Sequence, residues 1–326
     1  MKYLAGIDLG GTNIKFALMN EHMGTVYKKS IPTPFRGSPE TVFQAMINGL
    51  QSLLQENALT PLSLLGIGIG IPGLTDSRKG LAYEVKFLRW RNIDVITPFS
   101  HAFGVPVIAE NDGAVNALGE CYLGAGKGKQ NVILLTLGTG LGCGIVSDGR
   151  LLRGRDGVAA ETGHMTIDPE GDLCACGRRG CFESCCSATA LMRYARRAVL
   201  EYPDCILMQY AKGDIFAIDG PMICKGSDSG DPASQNALRI FNEKLSIGLM
   251  NLINLLNPDM IILSGGVSAA GDRILRPVRD LVEEKLMHPV QHCEIVTGQL
   301  GSDAGSLGAC ILAAQKIGLI KQKESR

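Results

Sequence analysis

Residues 6–20 read GIDLGGTNIKFALMN, and residues 134–148 read LLTLGTGLGCGIVSD. The second stretch lies 128 residues after the first, and this shift sets Gly10 on Gly138. Each passes from an apolar run through a glycine turn with a nearby threonine into a second apolar run, which predicts a strand, a turn and a strand. Backbone N–H groups in such turns bind phosphate oxygens. We interpret the pair as a two-sided clamp for a polyphosphate, the alternative being two ordinary glycine hairpins.

Strands and helices alternate along the rest of the chain, which indicates an α/β protein. Apolar runs predict buried strands at 64–73, 105–112 and 258–264, each followed by glycine or acidic residues. Apolar residues at helical spacing predict helices at 39–56, 113–124, 233–257, 273–287 and from Asp303 onward. The stretch KGSDSGDP (225–232) is rich in loop-forming residues and predicts an irregular joint.

Composition excludes several classes of protein. The 326 residues suggest about two domains. Lys and Arg number 32, as do Asp and Glu, and this neutral balance argues against a nucleic-acid binder. Asp8 interrupts any apolar signal core, and no apolar run is long enough for a membrane span.

The cysteine count bears on the compartment. Eleven cysteines in a chain of this size fit a reducing cytoplasm better than a secreted disulfide scaffold. Six of them are most simply small core residues: Cys121, Cys143, Cys205, Cys224, Cys293 and Cys310.

The stretch ETGHMTIDPEGDLCACGRRGCFESCCS (161–187) predicts a metal site. One imidazole and three thiols make a closed tetrahedral set suited to structural Zn²⁺, formed by His164, Cys174, Cys176 and Cys181. Glu161 and Glu183 flank this set. A loop tied by metal could direct both carboxylates at a polar substrate, and the alternative is a bare zinc knuckle beside two solvated acids.

Two further acids follow predicted strands. Asp112 stands beside Asn111 and is a candidate general base, although Asp-Gly is also an ordinary turn pair, and the residues alone leave both interpretations open. Asp8 suits Mg²⁺, a hard cation that prefers oxygen ligands, and its alternative role is to cap a strand end.

The ordered motifs resemble those of the ROK family of bacterial sugar kinases and repressors, within the actin, heat-shock ATPase and hexokinase superfamily. The resemblance covers nearly the whole chain. Its markers are DLGGTN (8–13), IPG (71–73), END (110–112), LGTGLGCG (137–144), ETGH (161–164), CACGRRGC (174–181) with Glu183, and LSGGV (263–267).

The resemblance implies a two-domain actin-like ATPase (ribonuclease H-like) fold of the α/β class, with mixed sheets and an active-site cleft between the domains. The first domain would comprise 1–116 and 305–326, and the second 117–304. A ligand contacted from both domains would favour a closed state. A homodimer or homotetramer is expected.

The resemblance also implies roles for single residues. Asp112 would be the catalytic base, and the hexose would be contacted by Gly73, Asn111, Asp112, Glu161, His164 and Glu183. With one ring nitrogen on zinc, His164 would donate its other N–H to the sugar, although a carbonyl is the commoner partner of zinc histidines. ATP and Mg²⁺ would be bound by Asp8, Gly10, Gly11, Thr12, Asn13, Gly138, Thr139, Gly140, Gly142, Gly265 and Gly266.

The function implied is an ATP-dependent kinase acting on the 6-hydroxyl of a hexose, as in glucokinases. One departure concerns the sugar, since Phe87 stands where family hexokinases commonly have asparagine, and Asn92 or a backbone group would then replace it. The alternatives are a kinase for N-acetylmannosamine, N-acetylglucosamine or another hexose such as allose or fructose. A sugar-sensing regulator is disfavoured, because Asp8 arrives too early for an N-terminal DNA-binding module.

Overall fold

The computed structural model describes residues 1–34, 37–287 and 292–320. In this part of the chain the strands are β1 (Tyr3–Leu9), β2 (Asn13–Asn20), β3 (Thr25–Pro32), β4 (Leu64–Ile71), β5 (Leu74–Asp76), β6 (Leu81–Val85), β7 (Trp90–Asp94), β8 (Val107–Asn111), β9 (Val132–Leu137), β10 (Leu141–Ser147), β11 (Arg150–Leu151), β12 (Met260–Ser264) and β13 (Glu294–Thr297). The helices are α1 (Pro39–Glu56), α2 (Ile96–Phe103), α3 (Asp112–Leu123), α4 (Phe182–Cys186), α5 (Ala188–Glu201), α6 (Ile206–Tyr210), α7 (Gly220–Asp228), α8 (Pro232–Leu256), α9 (Asp272–Lys285) and α10 (Ala304–Lys316).

The chain forms two compact units. Unit 1 comprises 1–134, 144–160 and 298–326, and unit 2 comprises 135–143 and 161–297. The domain limits expected from the sequence, 1–116 with 305–326 and 117–304, stay a prediction. Among the described residues, no helix combines the length and the apolar character needed to cross a membrane.

Unit 1 contains a mixed five-stranded sheet in the order β3-β2-β1-β4-β8. β1 runs antiparallel to β2 and parallel to β4, and β4 runs parallel to β8. Helix α10 lies directly on this sheet, since a Cβ added at Gly6 or Gly68 would overlap the carbonyl oxygens of Ser306 and Ala309. The small residues of α10 therefore allow its backbone to touch β1 and β4.

The opposite face of the sheet packs against α1 and the aromatic residues around it. Phe43 of α1 makes edge-on ring contacts with Trp90 and Phe99, with centroid distances of 5.1 Å and 5.8 Å. Burying large aromatic side chains is among the stronger contributions to a core. A three-stranded antiparallel sheet, β5-β6-β7, supplies Trp90 to this core.

A second five-stranded sheet has the order β11-β10-β9-β12-β13. β9 and β10 are joined by the second glycine turn, as the 128-residue repeat predicted. The two mixed sheets confirm the predicted α/β class, and α1 spans the predicted 39–56.

Two predictions were wrong in detail. The irregular joint at 225–232 shrinks to 229–231, because α7 continues to Asp228 and α8 begins at Pro232. Asp231 caps α8 by accepting a hydrogen bond from the Ser234 N–H, so the polar run is largely helix end and helix cap. Of the six cysteines predicted to be core residues, Cys224 and Cys293 are only half-buried.

Candidate active site

Three of the predicted sugar-site residues come together in unit 1. β8 ends at Asn111, whose side-chain oxygen accepts from the Ala114 N–H at 3.1 Å and so caps α3. Its Nδ2 donates to the Gly73 carbonyl at 2.9 Å. Asp112, predicted to stand at a strand end, is instead the first residue of α3. Asn111 thus has a fixed orientation and links the turn after β4 to this helix N-terminus.

The Asp112 side chain is fixed by its own helix. Its Oδ1 accepts from the Gly113 N–H at 2.9 Å, and Asn116 Nδ2 donates to the Asp112 carbonyl at 2.8 Å. The helix N-terminus carries a partial positive charge, which favours a carboxylate in its ionised form. The ionised form is the one a general base requires.

Behind Asn111 lies a buried ion pair that the sequence did not reveal. Glu110 is 2% exposed, accepts from Arg153 Nε at 2.6 Å and accepts from the Asn111 N–H at 3.1 Å. Arg153 is distant in sequence and carries no motif, so only the folded chain identifies the pair. The two residues support the backbone on which Asn111 and Asp112 stand.

Asp8 is the last residue but one of β1 and lies near Asp112, since a Cβ added at Gly70 would be 3.3 Å from Asp8 Oδ1 and 3.8 Å from the Asp112 Cα. Burial and the negative charge of Asp112 raise the pKa of Asp8 to about 7, and the positive charge of Lys15 opposes the rise. The carboxylate lies against the first turn of α10, where a Cβ on Gly305 would overlap it. Two acids this close favour a cation between or beside them.

The first glycine turn is anchored by a residue outside its motif. Gly10 N–H donates to the Asn13 carbonyl at 3.0 Å, which closes the turn. Thr33 Oγ1 donates to the Gly10 carbonyl at 2.8 Å, and the Thr33 N–H donates to the Thr12 carbonyl at 2.9 Å. Gly11, Thr12 and Asn13 are exposed, as a phosphate-binding turn requires.

The second glycine turn belongs to unit 2 and is held by helix α5. The Gly138 carbonyl accepts from the Ala188 N–H at 2.7 Å, and the Thr139 carbonyl accepts from Thr189 Oγ1 at 3.1 Å. The Gly140 carbonyl accepts from the Gly138 N–H at 3.0 Å. These bonds hold three carbonyl oxygens and the Gly138 N–H of the turn, which suits a loop that presents its other N–H groups to an anion.

The four predicted metal ligands form one cluster. The ligand atoms of His164, Cys174, Cys176 and Cys181 all lie within 4.8 Å of one another. Cys174 Sγ is 3.7 Å from His164 Nδ1, and the sulfurs of Cys176 and Cys181 are 3.5 Å apart. A tetrahedron with Zn–S bonds of about 2.3 Å has edges of roughly 3.8 Å, so the donor set fits a four-coordinate Zn²⁺ in size and chemistry.

The thiols in this cluster differ in acidity. Hydrogen bonds from the backbone N–H and the side chain of Arg178 lower the pKa of Cys176 to about 6. Burial raises the pKa of Cys181 to about 12. A bound cation would stabilise the thiolate form of both residues.

The remaining predicted sugar ligands stand around the cluster in unit 2. His164 ends a 3-10 turn (Thr162–His164), and its backbone N–H donates to the Glu161 carbonyl at 3.1 Å. Glu183 lies in the first turn of α4, two residues after Cys181. A Cβ on Gly163 would lie 2.6 Å from the Leu141 carbonyl and 3.6 Å from Glu183 Cβ, so the two segments adjoin the second glycine turn.

An apolar cavity lies beside the predicted adenosine motif in unit 2. Gly265 follows β12 with a φ of 85°, a conformation that favours glycine, and Gly266 lines the cavity. The cavity measures about 310 Å³ and is lined by Ala188, Leu191, Met192, Gly220, Pro221, Cys224, Gly266, Val267, Ala269 and Ala270. Most of these residues lie outside the sequence motifs, because the cavity is formed by apolar side chains of several segments that are distant in sequence.

Phe87, the departure from the resemblance, lies in a short 3-10 turn (Lys86–Leu88). It is half-buried and packs against the core of unit 1. Asn92, expected as one possible replacement, is exposed on β7 with a φ of 53°.

Comparison with known proteins decides the family. The model of the ROK family matches residues 4–316. The chain belongs to the ROK family. One ROK relative, the glucokinase of Halalkalibacterium halodurans, is 34% identical over 97% of this chain and 96% of its own length.

Solved ROK structures share the fold. The glucokinase of Streptomyces griseus, crystallised with glucose and AMPPNP, has a TM-score of 0.80 and 33% identity over 96% of this chain and 99% of its own. A ROK transcriptional regulator homologous to the E. coli MLC protein has a TM-score of 0.84 and 26% identity, and the match covers 97% of this chain and 78% of the regulator. The actin-like fold of the ROK kinases is therefore also the fold of this chain.

Proposed function

We propose that this ROK protein is an ATP-dependent hexose kinase that phosphorylates the 6-hydroxyl of its sugar, as glucokinases do. The observation that carries the proposal is Asp112 at the N-terminus of α3, beside an Asn111 locked to Gly73. A kinase needs such a carboxylate, whereas a protein that only senses sugar does not. Similarity to glucokinases over almost the whole chain supports the same activity.

In the proposed reaction, Asp112 accepts the proton of the 6-hydroxyl as that oxygen attacks the γ-phosphorus and ADP leaves. Asn111 Nδ2 donates one N–H to Gly73 and has a second N–H for a neighbouring sugar hydroxyl. Glu161, His164 and Glu183 accept from or donate to the other hydroxyls. Two carboxylates of this kind suit a vicinal diol, because each oxygen accepts more than one hydrogen bond.

The nucleotide contacts follow from the two glycine turns and the cavity. The two turns, formed by Gly10, Gly11, Thr12 and Asn13 and by Gly138, Thr139, Gly140 and Gly142, are proposed to contact the phosphates. The proposed donors are the N–H groups of Gly11, Thr12, Thr139 and Gly140, because the N–H groups of Gly10 and Gly138 donate to Asn13 and Gly140 within the turns. Asp8 would hold Mg²⁺, which neutralises phosphate charge when bound. Gly265 and Gly266 would lie against the nucleoside, with the base in the apolar cavity.

We propose that His164, Cys174, Cys176 and Cys181 hold one structural Zn²⁺. With all four positions filled by protein, the ion shapes the loop and leaves no site for water. His164 Nδ1 faces Cys174, so Nε2 is the nitrogen left to donate to a sugar hydroxyl. All eleven cysteines are free of disulfides, which supports a reducing, cytoplasmic setting. A homodimer or homotetramer is proposed from the family resemblance.

A panel assay tests the function. ADP release should be measured with Mg-ATP and glucose, mannose, fructose, allose, N-acetylmannosamine and N-acetylglucosamine as acceptors. We expect one hexose to exceed the others in kcat/KM. The second candidate is an N-acetylhexosamine kinase, because Phe87 stands where family hexokinases commonly have asparagine and a changed residue there suits a different sugar. Sugar binding without turnover of any acceptor would instead identify a regulator.

A further inference from the structure

The carboxylate of Glu183 is bonded to the second glycine turn. Its Oε2 accepts from the Leu141 N–H at 3.0 Å. A Cβ added to Gly140 would lie 2.5 Å from the same oxygen, so the carboxylate rests directly on the turn. Glu183 therefore contacts the backbone proposed to bind phosphates as well as standing among the proposed sugar ligands.

This contact completes the anchoring of the turn. Helix α5 already fixes the carbonyls of Gly138 and Thr139 from one side. Glu183 holds Leu141 from the other side, and its own place is set by Cys181, two residues earlier in the metal cluster. Three glycines in 138–142 would leave the turn mobile without such bonds, since glycine loses more conformational freedom than other residues on ordering.

The negative charge of Glu183 does not explain why this side chain is bonded to a phosphate-binding turn. A negative side chain near phosphate oxygens raises the energy of the complex. The useful property is the hydrogen-bond acceptor at the correct reach, which glutamine also provides.

We propose that Glu183 is a positioning residue for the phosphate-binding turn. Its bond to the Leu141 N–H holds residues 138–142 in the shape that receives the β- and γ-phosphates, before any sugar binds. This inference rests on the proposed function, because it takes 138–142 to be the phosphate site. A protein whose turn is already ordered loses less entropy when the nucleotide binds.

The test uses titration calorimetry to measure the affinities of ADP and AMP for the hexose-free protein in the presence of Mg²⁺. The two nucleotides differ in the number of their phosphates. For Glu183→Ala we expect ADP to bind about tenfold more weakly, within the range for loss of one charged hydrogen bond. AMP affinity should stay within about twofold, because AMP lacks the phosphates that the turn receives. Glu183→Gln should restore ADP affinity to within about threefold of the unaltered protein.

Two further variants make the test specific. Glu183→Asp keeps the charge and shortens the reach by one methylene, so it should weaken ADP binding about as much as Glu183→Ala does. It also provides the test if the alanine variant folds poorly. Glu170→Ala removes an exposed carboxylate from the same metal loop and should leave both nucleotides unchanged. Amide exchange in a peptide covering 138–143 should quicken in the alanine and aspartate variants and not in the glutamine variant.

Three results would overturn the inference. Unchanged ADP affinity in Glu183→Ala would leave Glu183 a sugar ligand alone. Equal weakening of AMP and ADP would show general damage to unit 2 rather than a misplaced turn. Failure of glutamine to restore ADP binding would contradict the acceptor argument. If the unaltered protein bound no ADP, the kinase proposal itself would fall, and with it this role for Glu183.

Discussion

Asp112 derives its environment from the residue before it. Asn111 caps α3, and the cap places the Asp112 carboxylate at the positive end of the helix. Asp112→Asn keeps the shape of the side chain and its bond to the Gly113 N–H but cannot accept a proton. We expect kcat to fall by about 10²–10⁴-fold. Hexose affinity, measured by calorimetry, should stay within about threefold, and turnover within a factor of about three of the original would refute the assignment.

The metal cluster makes a second prediction for single residues. Elemental analysis after dialysis should find one zinc per chain, and Cys176→Ala should lose both the metal and the activity, because three ligands hold Zn²⁺ far less tightly than four. Cys293→Ala is the control, since Cys293 lies outside both the cluster and the apolar cavity proposed for the base. A fully active, metal-free preparation would contradict the site.

At this scale the sequence predicted the residues that carry motifs and missed those that support them. His164 and the three cysteines could be predicted because short spacing brings them together in any compact loop. Thr33, Arg153 and Ala188 could not, because each acts through hydrogen bonds or an ion pair to a distant segment. The bond from Leu141 to Glu183 was missed for the same reason, since backbone donors leave no trace in residue type.

Helix α9 contains a proline in its interior, and a contact from another helix explains why this proline is tolerated. Pro277 lies inside this helix and has no N–H to offer the Arg273 carbonyl one turn earlier. Asn242 of α8 supplies the missing donor, with Nδ2 3.0 Å from that carbonyl. Helical periodicity predicted α9 despite the proline, but no local pattern indicated that another helix would satisfy the freed oxygen.

A double-mutant cycle tests this pairing. Asn242→Leu should cost about 1 kcal/mol more in unfolding free energy in the original chain than in a Pro277→Ala background, where the helix regains its own donor. Urea denaturation of the four proteins measures the coupling. Equal costs in both backgrounds would show that Asn242 does not serve the Arg273 carbonyl.

For the molecule as a whole, the decisive contact joins the two ends of the chain. Helix α10 is buried along almost its whole length and lies on β1 and β4 in unit 1. Local periodicity predicted the helix beginning after Asp303, but only the family resemblance assigned it to the first domain, because contacts between residues so far apart in sequence leave no local pattern. The strand order within each sheet was unpredicted for the same reason.

Two glycines of β4 test this packing. Gly68→Ala would place a methyl group on the backbone carbonyl of Ala309, which cannot move without displacing α10, and should cost about 1–3 kcal/mol. Gly66→Ala meets the Ile317 methyl and the Pro106 carbonyl at 3.3 Å and should cost less. Thermal unfolding measures both. A smaller cost at Gly68 than at Gly66 would show that α10 approaches the sheet less closely than described.

The return of α10 also affects how the protein is made. A ribosome releases β1 and β4 early, but the helix that covers them is encoded more than 230 residues after β4 ends. At about 5–20 residues per second, the uncovered face of the sheet waits roughly 10–50 s for its partner. During that interval the nascent chain exposes a surface of small and aliphatic side chains that other nascent chains could bind. Unit 1 therefore completes its folding only after α10 has been synthesised, and its yield in the cell should depend on holdase chaperones more than its final stability suggests.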